Sequence, residues 1–143
     1  MPTTRRSRTV QAPPEAVWRV VGDPQHQARW WPKVTRVESV QGDQFTRVYQ
    51  TAKGKPVRAD FTIAESDEPR RRRWSQSLTG TPFERFMKSA EEIAVIEPGE
   101  HGTIVTLEVR QKLRGLSRFG AVMVKSATRK QLDEALDSLE RVV

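Results

Sequence analysis

Cysteine is absent from the 143 residues, which excludes disulfides, zinc–thiolate centres, iron–sulfur clusters and thiol nucleophiles. Histidine occurs only as His26 and His101, too few for even a three-imidazole metal centre, so a histidine-rich metal site is not expected. No cofactor is expected either. Long apolar runs are missing too. The longest, Phe119 to Val124, has about six residues against the roughly 20 needed to cross a bilayer. The basic opening, with Arg5, Arg6 and Arg8, has no apolar segment after it, so an export signal is not expected and a cytoplasmic location is. Acidic charge is in the minority, with 18 Asp and Glu against 25 Lys and Arg, a formal net charge of +7.

That surplus passes the first screen for a polyanion binder, but binding needs the charge gathered on one face. It falls instead in three places: Arg5-Arg6-Arg8, Arg70 to Arg73, and the set Arg110, Lys112, Arg114, Arg118, Lys125, Arg129 and Lys130. Glu108, Asp133, Glu134, Asp137 and Glu140 lie close to the last set, so local pairing is expected to neutralise much of it. No zinc-finger spacing, RNA-recognition signature or helix-turn-helix accompanies the charge. A solvated basic surface is therefore the simpler reading, with a nucleic-acid or anionic-lipid surface as its rival.

Residues 4–12 read as a strand ending at Ala12-Pro13-Pro14, where proline suits the first turn of a helix. Val17, Val20 and Val21 then recur at helical spacing until Gly22-Asp23-Pro24, and a second short helix is predicted from Gln25 to Trp30, ended by Pro32. From Val34 to Leu113 the pattern changes to six extended runs parted by turn residues: Val34–Val40, Phe45–Ala52, Val57–Glu65, Arg71–Leu78, Phe83–Glu97 and Thr103–Leu113. In the last, Val105, Leu107 and Val109 alternate with Thr106, Glu108 and Arg110, which predicts one dry face. After Gly115 the 3.6-residue period returns. Ala121, Val124, Thr128, Leu132, Ala135, Leu136, Leu139 and Val142 predict one helix of roughly 25 residues, about 37 Å long. The class is α+β, and without repeats or linkers one domain over residues 3–143 is expected.

This order resembles the helix-grip fold of the START/Bet v 1-like superfamily, SRPBCC. The wording of the sequence agrees: Val10-Gln11-Ala12-Pro13-Pro14-Glu15-Ala16-Val17-Trp18 resembles that superfamily's opening, Trp30-Trp31-Pro32 the exit of its second helix, and Gly102-Thr103 the lead into its last strand. The resemblance covers nearly the whole chain. It implies a seven-stranded curved antiparallel sheet around a long C-terminal helix, with two short helices after the first strand. In the bacterial polyketide cyclase/dehydrase and lipid-transport branch, it also implies an apolar ligand held between sheet and helix. A curved sheet cannot lie flush along a straight helix, so contact at one end leaves a gap at the other. Alternation nominates Tyr49, Phe61, Trp74, Gln76, Ile93, Val95 and Leu107 to line that gap, with Met123 and Ala127 from the helix, and Trp30 and Trp31 are nominated as stacking surfaces beside the pocket mouth. Ile63, Leu78, Val105 and Leu132 share the pattern, which serves core and pocket alike.

The sharpest candidate for chemistry is Glu91, since sharing parity with Ile93 and Val95 would turn it toward the concave side. A carboxylate in an apolar pocket suits general acid or base work in an aldol-type cyclisation or dehydration. The competing role is an ion pair with an inward arginine, Arg8 or Arg47, or contact with solvent. The expected function is binding of a hydrophobic small molecule, polyketide-like, lipid or isoprenoid, for transport or presentation. A cyclase/dehydratase using the cavity carboxylate, and a regulatory or toxin-like protein acting through its basic surface, are the alternatives. Whether a homodimer forms through the exposed sheet edge is left open.

Overall fold

The computed structural model describes residues 3–115 and 118–143. Strand β1 (Thr3–Val10) leads into helix α1 (Pro14–Val21), a 3-10 turn (Pro24–His26) and helix α2 (Gln27–Trp30). Strands β2 (Val34–Gln41), β3 (Gln44–Gln50), β4 (Pro56–Asp67) and β5 (Arg71–Ser77) follow. A second 3-10 turn (Pro82–Arg85), β6 (Met87–Gly99), β7 (Gly102–Leu113) and helix α3 (Arg118–Val142) complete the chain. All seven strands form one antiparallel sheet in the order β1-β7-β6-β5-β4-β3-β2. This is the helix-grip arrangement.

Local chemistry explains the punctuation. Pro14 begins α1 with Glu15 in its first turn and Arg19 in its last, each suited to the helix dipole at its own end. Gly22 closes α1 by donating its N–H to the Trp18 carbonyl oxygen at 2.7 Å. A Cβ there would stand 2.7 Å from the Trp18 ring, so the close approach requires glycine. Asp23 accepts from the Gln25 N–H at 2.9 Å and caps the turn that follows.

Two elements depart from the sequence reading. The run predicted as a strand from Phe83 starts only at Met87, because Thr81 caps a 3-10 turn over Pro82–Arg85 through the Phe83 N–H. The predicted helix Gln25–Trp30 divides into a 3-10 turn and one α-helical turn. The alternation in β7 is as expected, with Val105, Leu107 and Val109 on the inner face.

The core lies between that inner face and the second half of α3. Leu132, Ala135, Leu136 and Leu139 are fully buried against Val10, Leu107, Ile96 and the tryptophans Trp30 and Trp74. Phe45 and Phe61 stack across β3 and β4 with ring centroids 5.4 Å apart. Helix α3 packs on β1, β7 and α2. Ion pairs fix the seat: Arg6 Nε donates to Asp133 at 2.8 Å, and Arg8 pairs with Asp137.

On the outer face, Glu108 of β7 accepts from Arg5 of β1 and Arg110 beside it. Burial alone would raise its carboxyl pKa, but the two guanidinium groups outweigh it and hold the group below the ordinary 4.5. A depressed carboxyl stabilises the fold above the unfolded-state value and loses that contribution as pH falls through the folded-state value. Glu108→Gln is therefore expected to lower stability by about 1 kcal/mol at neutral pH. In urea titrations the gap between the two proteins should close as the pH drops below 4.5. A gap unchanged into acid would assign the loss to packing.

Candidate functional site

Helix α3 follows the sheet only part of the way. Its buried residues are Thr128, Leu132, Ala135, Leu136 and Leu139, and none of the described side chains from Arg118 to Ala127 is buried. Where the helix stands off, a cavity of about 460 Å³ opens between Gln131 and the inner face of the sheet. Val57 and Phe61 of β4, Phe83 of the 3-10 turn, Met87 and Ala90 of β6, and Val109 of β7 give it apolar walls. Tyr49, Gln76, Glu92, Gln111 and Gln131 add polar groups, and Lys33, Gln50, Thr51 and Ala52 border it. Lys33 has a φ of 64°, the left-handed region that a residue with a Cβ seldom adopts.

Behind the polar wall lies Arg47, with a side chain that has no exposed surface. Its Nη2 donates to Glu92 Oε1 at 2.7 Å and its Nη1 to Glu92 Oε2 at 3.0 Å, a two-pronged pair across the sheet. Nη1 also donates to the Tyr49 hydroxyl at 3.0 Å, and Nε to Gln27 Oε1. The guanidinium carbon lies 4.3 Å from the Phe61 ring centroid and 4.6 Å from that of Trp31. Complete burial works against the charge on Arg47, yet the Glu92 carboxylate and the Tyr49 hydroxyl prevail and hold its pKa above the ordinary value. Burial likewise pushes the Tyr49 phenol up, against the pull of Arg47. Tyr49 is thus an O–H donor throughout the neutral range, and because it accepts from Arg47 its own hydrogen remains to be given to a ligand oxygen.

Of the side chains nominated from sequence, Tyr49, Phe61 and Gln76 come together at this cavity. Trp30, Trp74 and Leu107 are at most 1% exposed and pack the core instead, and Trp31 covers Arg47. Ala127 borders a separate groove between Pro32, Lys33 and α3. Met123 is 58% exposed on the far side of the helix. Ile93 and Val95 share the outer face with Glu91.

The inward carboxylate is Glu92, not Glu91. Glu91 borders the cavity, but its Oε2 accepts from Arg73 Nη1 at 2.6 Å on the outer face, while Glu92, Ala94 and Ile96 turn inward. The parity misleads because β6 is apolar on both sides: Ile93 is 2% exposed among its cross-strand neighbours Arg73 and Glu108. The competing role, an inward arginine partner, belongs to Arg47, and its parity with Phe45 and Tyr49 was the available signal. His26 is tied to the Arg19 carbonyl and His101 is exposed in the β6–β7 turn, both away from the cavity.

The family described as "Polyketide cyclase / dehydrase and lipid transport" matches residues 1–143. Among solved structures, the di-domain ARO/CYC protein BexL from the BE-7585A biosynthetic pathway superposes with a TM-score of 0.80 at 22% identity. The match covers 99% of this chain but 46% of that two-domain protein, so this chain spans about half its length. The protein TTHA0849 from Thermus thermophilus has a TM-score of 0.73 at 26% identity, covering 98% of this chain and 95% of that one. A conserved protein from Geobacillus kaustophilus has a TM-score of 0.77 at 13% identity, with 98% and 93% covered. No curated protein matches by sequence.

Removing Glu92 leaves a cation with no exposed surface unpaired, a loss of about 3–5 kcal/mol. Glu92→Ala is expected to unfold at correspondingly lower denaturant. The double variant Arg47→Met/Glu92→Leu, which takes both charges away, should regain about half of that loss. A double variant no better than the single one would show that shape, not charge, dominates the site.

Proposed function

The chain belongs to the polyketide cyclase/dehydrase and lipid-transport family, and from that premise we propose that it holds a hydrophobic small molecule, polyketide-like, lipid or isoprenoid, for transport or presentation. The observation that carries this reading is the cavity itself. Its 460 Å³ suits a ligand of a few fused rings or a folded chain, and its walls are mostly carbon. The few polar groups are placed for orientation. Tyr49 offers one O–H donor pinned from behind by Arg47, Glu92 accepts, and Gln76, Gln111 and Gln131 offer amides that can do either.

Glu92 with Tyr49 also supports a second reading, cyclisation or dehydration. Tyr49 would hold a carbonyl oxygen while Glu92 takes a proton from the adjacent carbon. Carriage requires only the pocket, whereas turnover further requires that Glu92 turn an oxygen from its bidentate arginine to the ligand. Binding is therefore the primary function in this reading, and any catalytic carboxylate role passes from Glu91 to Glu92.

Native mass spectrometry of freshly purified protein is expected to show an added, solvent-extractable mass of a few hundred daltons. Anilinonaphthalene sulfonate should bind the extracted protein saturably at one site. Ala90→Phe, which fills part of the cavity, is expected to weaken that binding by about tenfold with little change in melting temperature. Tyr49→Phe should weaken an oxygen-bearing native ligand by about fivefold, the worth of one neutral hydrogen bond. A clean mass together with dye binding that Ala90→Phe does not alter would overturn the pocket reading.

A further inference from the structure

The first half of α3 has an apolar surface on the wrong side for the core. Phe119 is 75% exposed, Val122 66% and Met123 58%. At 100° per residue these three centre about 160° around the helix from the buried stripe of Thr128, Leu132, Ala135 and Leu139. No repacking of the helix onto its own sheet can cover both faces. Within the run of six apolar or glycine residues from Phe119 to Val124, these three side chains are kept in water, where polar ones would cost nothing.

The charge around it is of one sign. Residues 109–132 contain no Asp or Glu, and seven Lys and Arg. The pairing expected from sequence reaches Arg110, which meets Glu108, but not the cations of α3, because the other nearby acids are taken by arginines of β1. Asp133 is held by Arg6, Asp137 by Arg8, and Glu108 by Arg5 and Arg110. Arg118, Lys125, Arg129 and Lys130 are exposed, and among the described residues none of them is in an ion pair. Arg118, Lys125 and Arg129 project along one flank of the apolar patch and Lys130 continues it by about two turns. The next acid along α3 outside those pairs is Glu134, one turn beyond Lys130.

We propose that the outer face of the first half of α3 docks on the surface of an anionic lipid bilayer, with Phe119, Val122 and Met123 entering the acyl boundary and Arg118, Lys125, Arg129 and Lys130 meeting the headgroups. Exposed large apolar side chains beside unpaired cations fit this partner better than a nucleic acid, which has no apolar layer to receive them. A second copy of the chain is disfavoured by the same cations, which would face one another across the contact. The docking face adjoins the ligand route. Lys33 and Gln131 border both the cavity and the groove alongside α3 that Val124, Ala127 and Lys130 line, so a bilayer on this face would lie beside an opening of the pocket. The surface stands whatever the cavity holds.

The test is sedimentation of the full chain with vesicles of phosphatidylcholine alone or with a third of phosphatidylglycerol. Binding is expected only to the anionic vesicles, and to weaken with salt. Lys125→Gln/Arg129→Gln/Lys130→Gln should reduce it about hundredfold, about fivefold per cation. Phe119→Ser/Met123→Ser should reduce it about tenfold or more, with unchanged dye binding in the cavity and unchanged circular dichroism. Because the chain has no cysteine, Val122→Cys can carry a polarity-sensitive fluorophore at a single site. Its emission should shift to the blue on anionic vesicles, while the same label at Asp43→Cys, in the β2–β3 hairpin at the sheet edge farthest from β1, should not shift. Absence of binding to anionic vesicles at low salt overturns the proposal. So does binding that survives Phe119→Ser/Met123→Ser undiminished, or a tighter grip on single- or double-stranded nucleic acid lost only in the charge variant. A concentration-dependent dimer abolished by Phe119→Ser would assign the patch to a second copy and overturn it equally.

Discussion

A guanidinium cut off from water must be satisfied on every side, and Arg47 is satisfied by groups from four segments of the chain. Gln27 of α2 and Trp31 just after it close one side, Phe61 of β4 lies under the plane, Tyr49 shares its own strand, and Glu92 reaches from β6. Each contact constrains a different element, so the position of α2 over the sheet and the relation of β3 to β6 are set by one side chain. The two groups it orients, Glu92 and Tyr49, are those that reach the cavity. The desolvation of a charge is thus turned to positioning: an ion pair of little net stabilising value fixes where the polar atoms of an otherwise apolar pocket stand.

The fold was legible because its signals are periodic. Hairpins separated by Gly42, Gly54 and the Pro98–Gly102 turn, and a continuous 3.6-residue stripe from Thr128 to Leu139, determine a meander followed by a helix with few alternatives. The site was less legible because its residues are selected by parity, and parity fails where both faces of a strand are apolar. In β6 the outward Ile93 is as buried as the inward Ala94, so hydropathy alone assigns neither face. Capping misled in the same local way, since Phe83 looks like a strand residue until Thr81 is read as a cap. The tryptophans illustrate a third difficulty: aromatic bulk near a cavity is more often needed to fill the volume beside it than to line it.

Charge is divided along the length of α3. Its second half carries Asp133 and Asp137, which meet arginines of β1 and seat the helix. Its first half carries cations alone. One helix therefore joins a neutralised, core-bearing end to an unneutralised end that leaves the sheet, and the cavity opens where the character changes. The lift of the helix, the survival of the cavity and the bareness of the cationic end have a common origin in the lack of buried apolar residues before Thr128.

Strand β1 pairs along its whole length with β7, Thr3 opposite Arg110 and Val10 opposite Thr103, and Arg8 reaches Asp137, 129 residues away in sequence. The sheet edge that α3 rests on is thus assembled from the two most distant strands. During synthesis, β1 must wait beside a growing meander until residues 102–113 have left the ribosome, and α3 has nowhere to sit until that pairing is made. Pairing between strands so distant in sequence slows folding, since the loop-closure entropy must be met before the contact forms. The delay leaves the inner face of β4 and β6 uncovered for most of the time the chain is being made, so the same apolar walls that later line the cavity are, in the nascent chain, the surface most in need of a chaperone.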